Sequence, residues 1–401
     1  MIKVGIIGGG ACGLMCAASL SKNRGFQVDI IEKESRVGKK ILQTGNGRCN
    51  FTNMYVSAAH YNKPLFVGKL LSTYTPSLLR DEFFNLGLVN YQDSEGRCYP
   101  LSDSATSVLD VLRNTCKINN VLEKVDHEVS EIIPCNGGYK VKCIYNKNEE
   151  VNYFYDYLVF CTGGNLSKLS FIDNLGIKYS KLKQSLCAIK ANVSGLNGIR
   201  RDVKASLYID DVCEKIDKGE VLFKDGALSG IVMFNLSSHL ARIDKYDKCF
   251  IELDLLPLQN AQLYDDMWDK RLKVLKQSTI ELLLIGLFPK ALAQYVLKQI
   301  NIKIDKIVGD LTKIEIDALK YICKHLKFSV KENYASANYQ VVSGGINLKE
   351  INDNFELIKY KNIYVGGELL DIDGECGGYN LHFAFSCGLK IANQIFKKNK
   401  K

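Results

Sequence analysis

A glycine-rich turn, Gly8-Gly9-Gly10-Ala11-Cys12-Gly13, follows directly on the apolar run Val4-Gly5-Ile6-Ile7, and a carboxylate, Glu32, stands nineteen residues beyond Gly13. Strand, turn, helix, strand and acid in this order are the fingerprint of a βαβ unit that binds a dinucleotide. Val4 to Ile7 read as a buried parallel strand. Gly8 lets the chain turn sharply, Gly10 keeps no side chain between the backbone and a pyrophosphate, and Gly13 lets the helix pack closely on the sheet. The helix opens with free N–H groups and a partial positive charge toward the phosphates. Leu14, Ala17, Ala18 and Leu20 form its apolar stripe, Gly25 fits its stop, and Val28 to Ile31 form a second strand that brings Glu32 to a ribose diol. This much fits NAD and FAD alike.

The far end of the chain bears on which. Asn362-Ile363-Tyr364-Val365 reads as a buried strand running into Gly366-Gly367-Glu368-Leu369-Leu370-Asp371, so Glu368 is a candidate to bind a ribityl chain. Asp373-Gly374-Glu375-Cys376-Gly377-Gly378-Tyr379-Asn380 then precedes a helical stretch, Leu381 to Ile395. Paired glycines before a helix expose N–H groups, and the helix dipole suits the negative charge a reduced flavin carries. NAD alone needs no such second site, and FAD does. Tyr157 to Phe160 reads as a strand ending in the small-residue turn Cys161-Thr162-Gly163-Gly164, and Gly38 to Asn50 as a long loop suited to wrap a flat ring. Read from their residues alone, both segments serve equally well as structural loops.

At 401 residues, 46% hydrophobic and 24% charged, the chain has material for two or three domains of an ordinary globular protein. A first strand beginning at Ile2 leaves no room for a signal peptide, and runs such as Leu282 to Ile285 are too short to span a bilayer, so a cytoplasmic protein without membrane attachment is expected. Fourteen cysteines without a C-x-x-C pair argue for reduced core thiols, against a zinc ribbon or a thioredoxin-type site, and no metal is expected. Cys12 and Cys16 share a helix face and read as packing. The net charge of +9 is spread out apart from the tail Lys397 to Lys401. It admits anionic ligands or RNA and demands neither.

These motifs together resemble the YhiN/BaiN-like family of NAD(P)/FAD-dependent oxidoreductases, which includes aminoacetone-oxidase-like proteins. GGGACGLMCA at the start, TGNGRCNFTN at Thr44 to Asn53, EGRCYPLSDSA at Glu95 to Ala105, VVSGGINLKEI at Val341 to Ile351 and GGELLDIDGECGGYNLHFAFSCG at the end carry the resemblance across nearly the whole chain. It implies an α/β fold: a split Rossmann-type FAD-binding domain with an inserted β-barrel and a small helical subdomain. It implies FAD contacts at Gly8, Gly10, Ala11, Cys12, Gly13, Glu32, Lys33, Lys40, Thr44, Gly47, Arg48, Cys49 and Asn50. Further along the chain it implies them at Thr162, Gly163, Gly367, Glu368, Gly378, Tyr379, Asn380 and Leu381. Val129, read as the end of a short strand, resembles the position that meets adenine through its backbone. Three departures bear on the substrate side. About ten residues are missing after Gly164, a short gap in loop terms; Leu222 to Gly230 replaces a stretch that usually carries Thr-His; and His382 stands where Gln is common.

The FAD elements occupy residues 1–186 and return at 336–401, so the middle is an insertion. Its β-rich part, 187–259, contains the strands Cys187 to Val193, Ala205 to Ile209 and Phe250 to Leu253. Its helical part, 260–335, contains the capping box Thr312-Lys313-Ile314-Glu315 before Ile316, Leu319, Ile322, Cys323 and Leu326. The insertion is expected to roof a pocket over the flavin. His382, Cys49 and Tyr379 are the candidates for proton transfer, with Arg48 as anion holder and Tyr99 nearby, although His382 reads also as a hydrogen-bonded core residue and Cys49 as loop support. The expected activity is hydride transfer to or from a small organic molecule, first as an NAD(P)H-driven reductase of an unsaturated compound and second as a flavin amine oxidase. No second G-x-G-x-x-G exists for a nicotinamide, so NAD(P)H would bind transiently. The rivals from other classes are a tRNA-modifying flavoprotein, disfavoured by the scattered charge, and a flavin-binding protein without turnover.

Overall fold

Val4, Ile6 and Ile7 are buried because β1 (Ile2–Ile7) runs through the middle of a five-stranded sheet. The strand order is Ile363–Val365, Tyr157–Phe160, β1, β2 (Phe26–Ile31), Leu122–Lys124, and every neighbouring pair is parallel. Strands covered on both faces read as continuous apolar runs, which is why β1 and Tyr157–Phe160 stand out in the sequence. This computed structural model describes residues 1–164, 170–258, 260–332 and 339–400, so the shortened stretch after Gly164 and the boundary expected at 335/336 lie outside the described residues.

On one face of the sheet α1 (Ala11–Leu20) packs against the C-terminal helix Tyr379–Asn399. The two backbones come very close at Gly388, where an added Cβ would sit 2.5 Å from the Cys12 carbonyl oxygen. An antiparallel meander, His127–Cys135, Gly138–Tyr145 and Glu149–Tyr155, carries the chain from Leu122–Lys124 back to the middle of the sheet. The Tyr155 ring fills the space over Gly5, and its hydroxyl donates to Asp29 Oδ2 at 2.9 Å. Gly25 does not stop α1. Ser21 is the C-cap, and Gly25 lies four residues on, where its carbonyl accepts the Ile2 N–H as β2 begins.

The chain divides into two compact units, Met1–Lys183 with Gln340–Lys401, and Gln184–Tyr339. The first holds the parallel sheet. The second holds a closed six-stranded barrel in the order Ile189–Ala191, Ala227–Ser229, Val212–Lys224, Arg200–Ile209, Cys249–Asp254, Leu326–Glu332. Four helices, Ala261–Val274, Ile280–Ile285, Lys290–Gln299 and Lys313–Lys324, intervene between its Cys249–Asp254 and Leu326–Glu332 strands. The mixed α/β architecture, parallel sheet plus barrel plus helices, is the one the sequence implies. Thr312 and Glu315 form the capping box in both directions. Leu326, however, is not on that helix: His325 caps it, and Leu326 opens the last barrel strand. The first barrel strand is three residues long rather than the seven expected from Cys187 to Val193. Among the described residues no helix is long and apolar enough to cross a membrane.

Candidate functional site

The C-terminal ends of β1, β2 and Tyr157–Phe160 converge on the glycine-rich turn. Gly8 adopts φ +105°, its N–H donates to Ile31 O at 2.8 Å, and an added Cβ would lie 2.4 Å from the Cys161 carbonyl oxygen. A Cβ on Gly13 would lie 2.0 Å from Gly8 O. At Gly10 the same construction meets no atom within 4 Å. Two of the three glycines are therefore required by the protein's own packing, and the third opens a hollow at the start of α1. Gly10 caps that helix with no side-chain acceptor, so the N–H groups of its first turn, from Ala11 and Cys12 on, face this hollow without a side-chain partner.

Glu32 stands at the end of β2 with Oε2 accepting from Gly9 N–H at 2.8 Å and Oε1 from Glu34 N–H at 2.9 Å. These bonds fix the carboxylate beside the turn and leave each oxygen a further lone pair. Across the turn, the Thr162 hydroxyl is buried with no hydrogen-bond partner in the protein, and Gly163 follows at φ +68°. A buried polar atom without a partner beside a hollow that a Cβ would fill suits a phosphate-bearing ligand. Cys12 contributes only backbone here: its thiol is buried, lies 3.2 Å from Cys161 Sγ, and is pushed up by burial and by that contact. Lys33 lies on the rim with Glu34, Asp126, Glu128 and Lys147, around an open depression of about 300 Å³.

Val129 is not at a strand end. It is the third residue of the nine-residue strand His127–Cys135, paired with Cys143 and buried, because the meander continues past it. What joins this strand to the site is its start, where His127 N–H donates to Glu32 O at 2.9 Å.

The second carboxylate, Glu368, follows the strand Ile363–Val365. Oε1 accepts from Val342 N–H at 2.8 Å, and Oε2 pairs with Lys40 at 2.9 Å. A Cβ on Gly163 would come within 3.3 Å of Oε2, so the turn after Tyr157–Phe160 lies against this group too. Gly367, at φ +69°, faces away from it: its Cβ position lies 2.9 Å from Cys12 Cβ, which makes it a packing glycine between helices.

From Lys40 the chain winds through a short 3₁₀ segment, Ile41–Gly47, broken at Thr44, whose ψ is 149°. Gly45, Asn46, Gly47 and Cys49 all take positive φ. This loop meets the distant glycine pair. A Cβ on Gly378 would lie 2.8 Å from Asn50 O and 2.9 Å from Thr52 O, and Asn53 Nδ2 donates to Gly377 O at 3.0 Å. Two motifs more than 300 residues apart thus form one wall. Asn380 clamps the loop, donating from Nδ2 to Gly374 O and accepting Gly374 N–H on Oδ1, both at 2.8 Å, so its side chain serves the loop rather than a ligand. Tyr379 opens the helix with its ring stacked on His60 at 4.1 Å, and its carbonyl accepts from Tyr61 OH. Leu381 is half-buried in the next positions of the helix.

The structure places two of the three proton-transfer candidates where they cannot meet a ligand. His382 is fully buried. Its Nε2 lies 3.0 Å from Tyr74 O and its Nδ1 2.8 Å from the Thr52 hydroxyl. A carbonyl can only accept, so Nε2 carries the proton and Nδ1 accepts from Thr52. Burial pulls the imidazole down to about 4, and it stays neutral at ordinary pH. Cys49 is equally enclosed, and burial pushes its thiol up to about 12. Both are structural. Tyr379 is buried as well, with its ring covered by His60, and burial raises its hydroxyl.

Sequence reading passed over Tyr91 and Asp103. Tyr91 OH donates to Asp103 Oδ1 at 2.6 Å, Tyr91 stacks on Tyr99 at 5.9 Å, and the Arg48 guanidinium lies over the Tyr99 ring at 4.5 Å. Tyr91 lies outside the stretches that carry the resemblance, and Asp103, although inside Glu95 to Ala105, gives no sign in the sequence that it meets Tyr91 and Arg48. Asp103, a non-glycine residue at φ +50°, is detectable only as backbone strain in the structure.

A family model described as the HI0933-like protein Rossmann domain matches residues 2–394. The chain is 29% identical over 404 residues to a 3-dehydro-bile acid delta(4,6)-reductase of Clostridium scindens, covering 97% of each chain. It is 27% identical to a ribosomal RNA dihydrouridine synthase of Haemophilus influenzae, covering 97% of this chain and 98% of the relative. The protein of that name from Escherichia coli is 25% identical, with 97% of each covered.

Proposed function

The chain belongs to the HI0933-like Rossmann family, a family of flavin-dependent oxidoreductases, and from that premise we propose that it binds FAD and reduces a carbon–carbon double bond conjugated to a carbonyl, with NAD(P)H as electron donor. The observation that carries the cofactor reading is the pair of carboxylates, Glu32 and Glu368, fixed at the ends of two strands of one sheet on either side of the Gly10 hollow and the unpartnered Thr162 hydroxyl. A dinucleotide with a polyol on each side of its diphosphate satisfies all four. In this reading Glu32 holds the ribose, the first turn of α1 and Thr162 hold the diphosphate, and Glu368 with Lys40 holds the ribityl chain. The loop Gly45 to Asn50 and the Gly377-Gly378 pair close on the ring.

When bound, the flavin supplies two-electron hydride chemistry. The protein supplies the rest. Glycines without side chains let the backbone approach the diphosphate, the Gly378 turn aims the N-terminus of the C-terminal helix at the ring, and the wall of Thr52, Asn53 and Asn380 holds that turn in place. The relatives' names support the substrate class, because a delta(4,6)-reductase and a dihydrouridine synthase both add two hydrogens across C=C. A second reading, an RNA substrate, is favoured by the two relatives named for ribosomal RNA over 97% of this chain.

Anaerobic absorbance of the purified protein tests the proposal. A bound flavin band that bleaches on adding NADPH or NADH is expected, followed by reoxidation with a conjugated 3-oxo steroid acid. Reoxidation by an unmodified ribosomal RNA transcript instead would select the second reading. A flavin that stays oxidised with both nicotinamides would overturn the donor assignment, and a colourless protein that takes up no FAD would overturn the cofactor.

A further inference from the structure

We propose that Arg48 is the substrate's oxygen anchor: its guanidinium binds the carbonyl oxygen of the conjugated substrate and stabilises the negative charge that develops there during reduction. The inference rests on the flavin reading above and goes beyond it by assigning a residue and a chemical group.

The argument is one of restraint without satisfaction. Arg48 directly follows the 3₁₀ segment in the loop that meets Gly378. Its guanidinium is racked over the Tyr99 ring at 4.5 Å, and Tyr99 is itself backed by Tyr91. Asp103, tethered by the Tyr91 hydroxyl, stands 3.9 Å from Nη1, a Coulombic distance and not a hydrogen bond. Arg48 thus makes no side-chain hydrogen bond among the described residues, and about half of the side chain is open. The neighbouring arginine is the contrast: Arg97 spends its donors on Asp93 at 2.7 Å and Glu95 at 2.9 Å. A planar cation held by stacking with its donors uncommitted is pre-organised for an external acceptor.

The chemistry follows. Hydride reaches the β-carbon of C=C–C=O, the π pair shifts onto oxygen, and the resulting enolate oxygen accepts hydrogen bonds from Arg48. A proton from water then adds to the α-carbon and restores the carbonyl. The two electrons come from the flavin, which a nicotinamide has reduced. Donors aimed at a developing oxyanion lower the barrier because they are already in place.

The test uses the oxidised holoprotein and 4-chlorophenolate, a planar ring carrying an oxyanion, followed through the long-wavelength absorbance that a phenolate stacked on flavin produces. The parent protein is expected to show a saturable band. Arg48→Gln should raise the Kd about 10- to 100-fold, the loss expected for a charge-assisted hydrogen bond. Arg48→Lys should raise it about 10-fold despite keeping the charge, since the stacked fork is lost. The Kd is read per bound flavin in each protein, so that any loss of cofactor is scored separately. A yellow parent protein without the band, or an Arg48→Gln protein binding the probe as well as the parent, would overturn the proposal. So would a variant that loses flavin while its yellow fraction binds normally, since Arg48 would then only support the loop. A colourless parent protein overturns the flavin reading itself, so the two failures are distinct.

Discussion

The glycine crossing at Gly8 and Gly13 and the loop wall at Gly378 both shape the same candidate site, and they differ in what is added to the close backbone contact they share. At the crossing, backbone touches backbone: added carbons at Gly8 and Gly13 would sit 2.4 and 2.0 Å from carbonyl oxygens. At the wall, Gly378 meets the Asn50 and Thr52 carbonyls in the same way, and side chains add further joints: Asn53 to Gly377, Asn380 to Gly374, Thr52 to His382, and His382 to Tyr74. The crossing is intolerant of any added atom. The wall is as tight at Gly378 and in addition depends on its polar joints, above all the buried pair at His382, where an orphaned group cannot turn to water.

Gly13→Val should break the crossing outright, with a loss of about 4 kcal/mol or more or no soluble protein at all, read by urea unfolding. An undiminished midpoint would mean that the contact at Gly8 O is relieved by a small helix shift. At the wall, His382→Leu should cost about 3 kcal/mol by leaving the Thr52 hydroxyl and the Tyr74 carbonyl unpaired. The same residue sets a pH signature. Its folded value of about 4 lies below the ordinary 6.5, so in that interval the unfolded chain binds the extra proton. The contribution, about 3 kcal/mol, is whole above about pH 6.5 and drains away as the pH falls to about 4. Unfolding curves across pH 4 to 7 should show this slope in the parent and its flattening in His382→Leu; equal slopes would place the titration elsewhere.

Gly10→Ala separates fold from ligand. Nothing in the protein obstructs the added carbon, so the unfolding midpoint should hold, while FAD affinity falls about 10- to 100-fold as the phosphate approach is blocked. Unchanged flavin retention would remove the diphosphate from this hollow. The smallest effect belongs to Lys40→Ala. Its pair with Glu368 is half open to solvent, so stability should shift by at most about 0.5 kcal/mol and flavin affinity by a few-fold. A large stability loss would show that Glu368 depends on Lys40 rather than on the Val342 N–H.

The same contrast explains what could be read before any coordinates. The crossing was legible because each glycine has a local reason, visible at fixed spacing after an apolar run, and so were the strand before Glu368 and the capping box at Thr312. Val129 was misplaced because alternation marks a strand without marking its end. Leu326 continued a helical spacing that His325 had already terminated. His382 and Cys49 looked reactive because their chemistry is written in the sequence and their enclosure is not: around His382 it comes with Thr52 and Tyr74, brought together only by the fold. Tyr91 escaped for the converse reason, since a tyrosine in a short strand acquires meaning only when its ring backs Tyr99 and its hydroxyl holds Asp103 near Arg48.

The placement of Ile363–Val365 has a consequence for how the molecule is made. Within the parallel sheet that strand neighbours Tyr157–Phe160, which lies between it and β1, while Tyr364 bridges back to Glu356. On a ribosome, the first 183 residues emerge with one flank of Tyr157–Phe160 unpaired, and it stays so while the whole of 184–339 is synthesised. The barrel strands pair among themselves and need nothing from the C-terminus. Glu368 and Gly378 arrive after the whole of the second unit, so the nascent chain carries an open strand edge until residues 363–365 appear, and a chain cut before them keeps that edge exposed to aggregation.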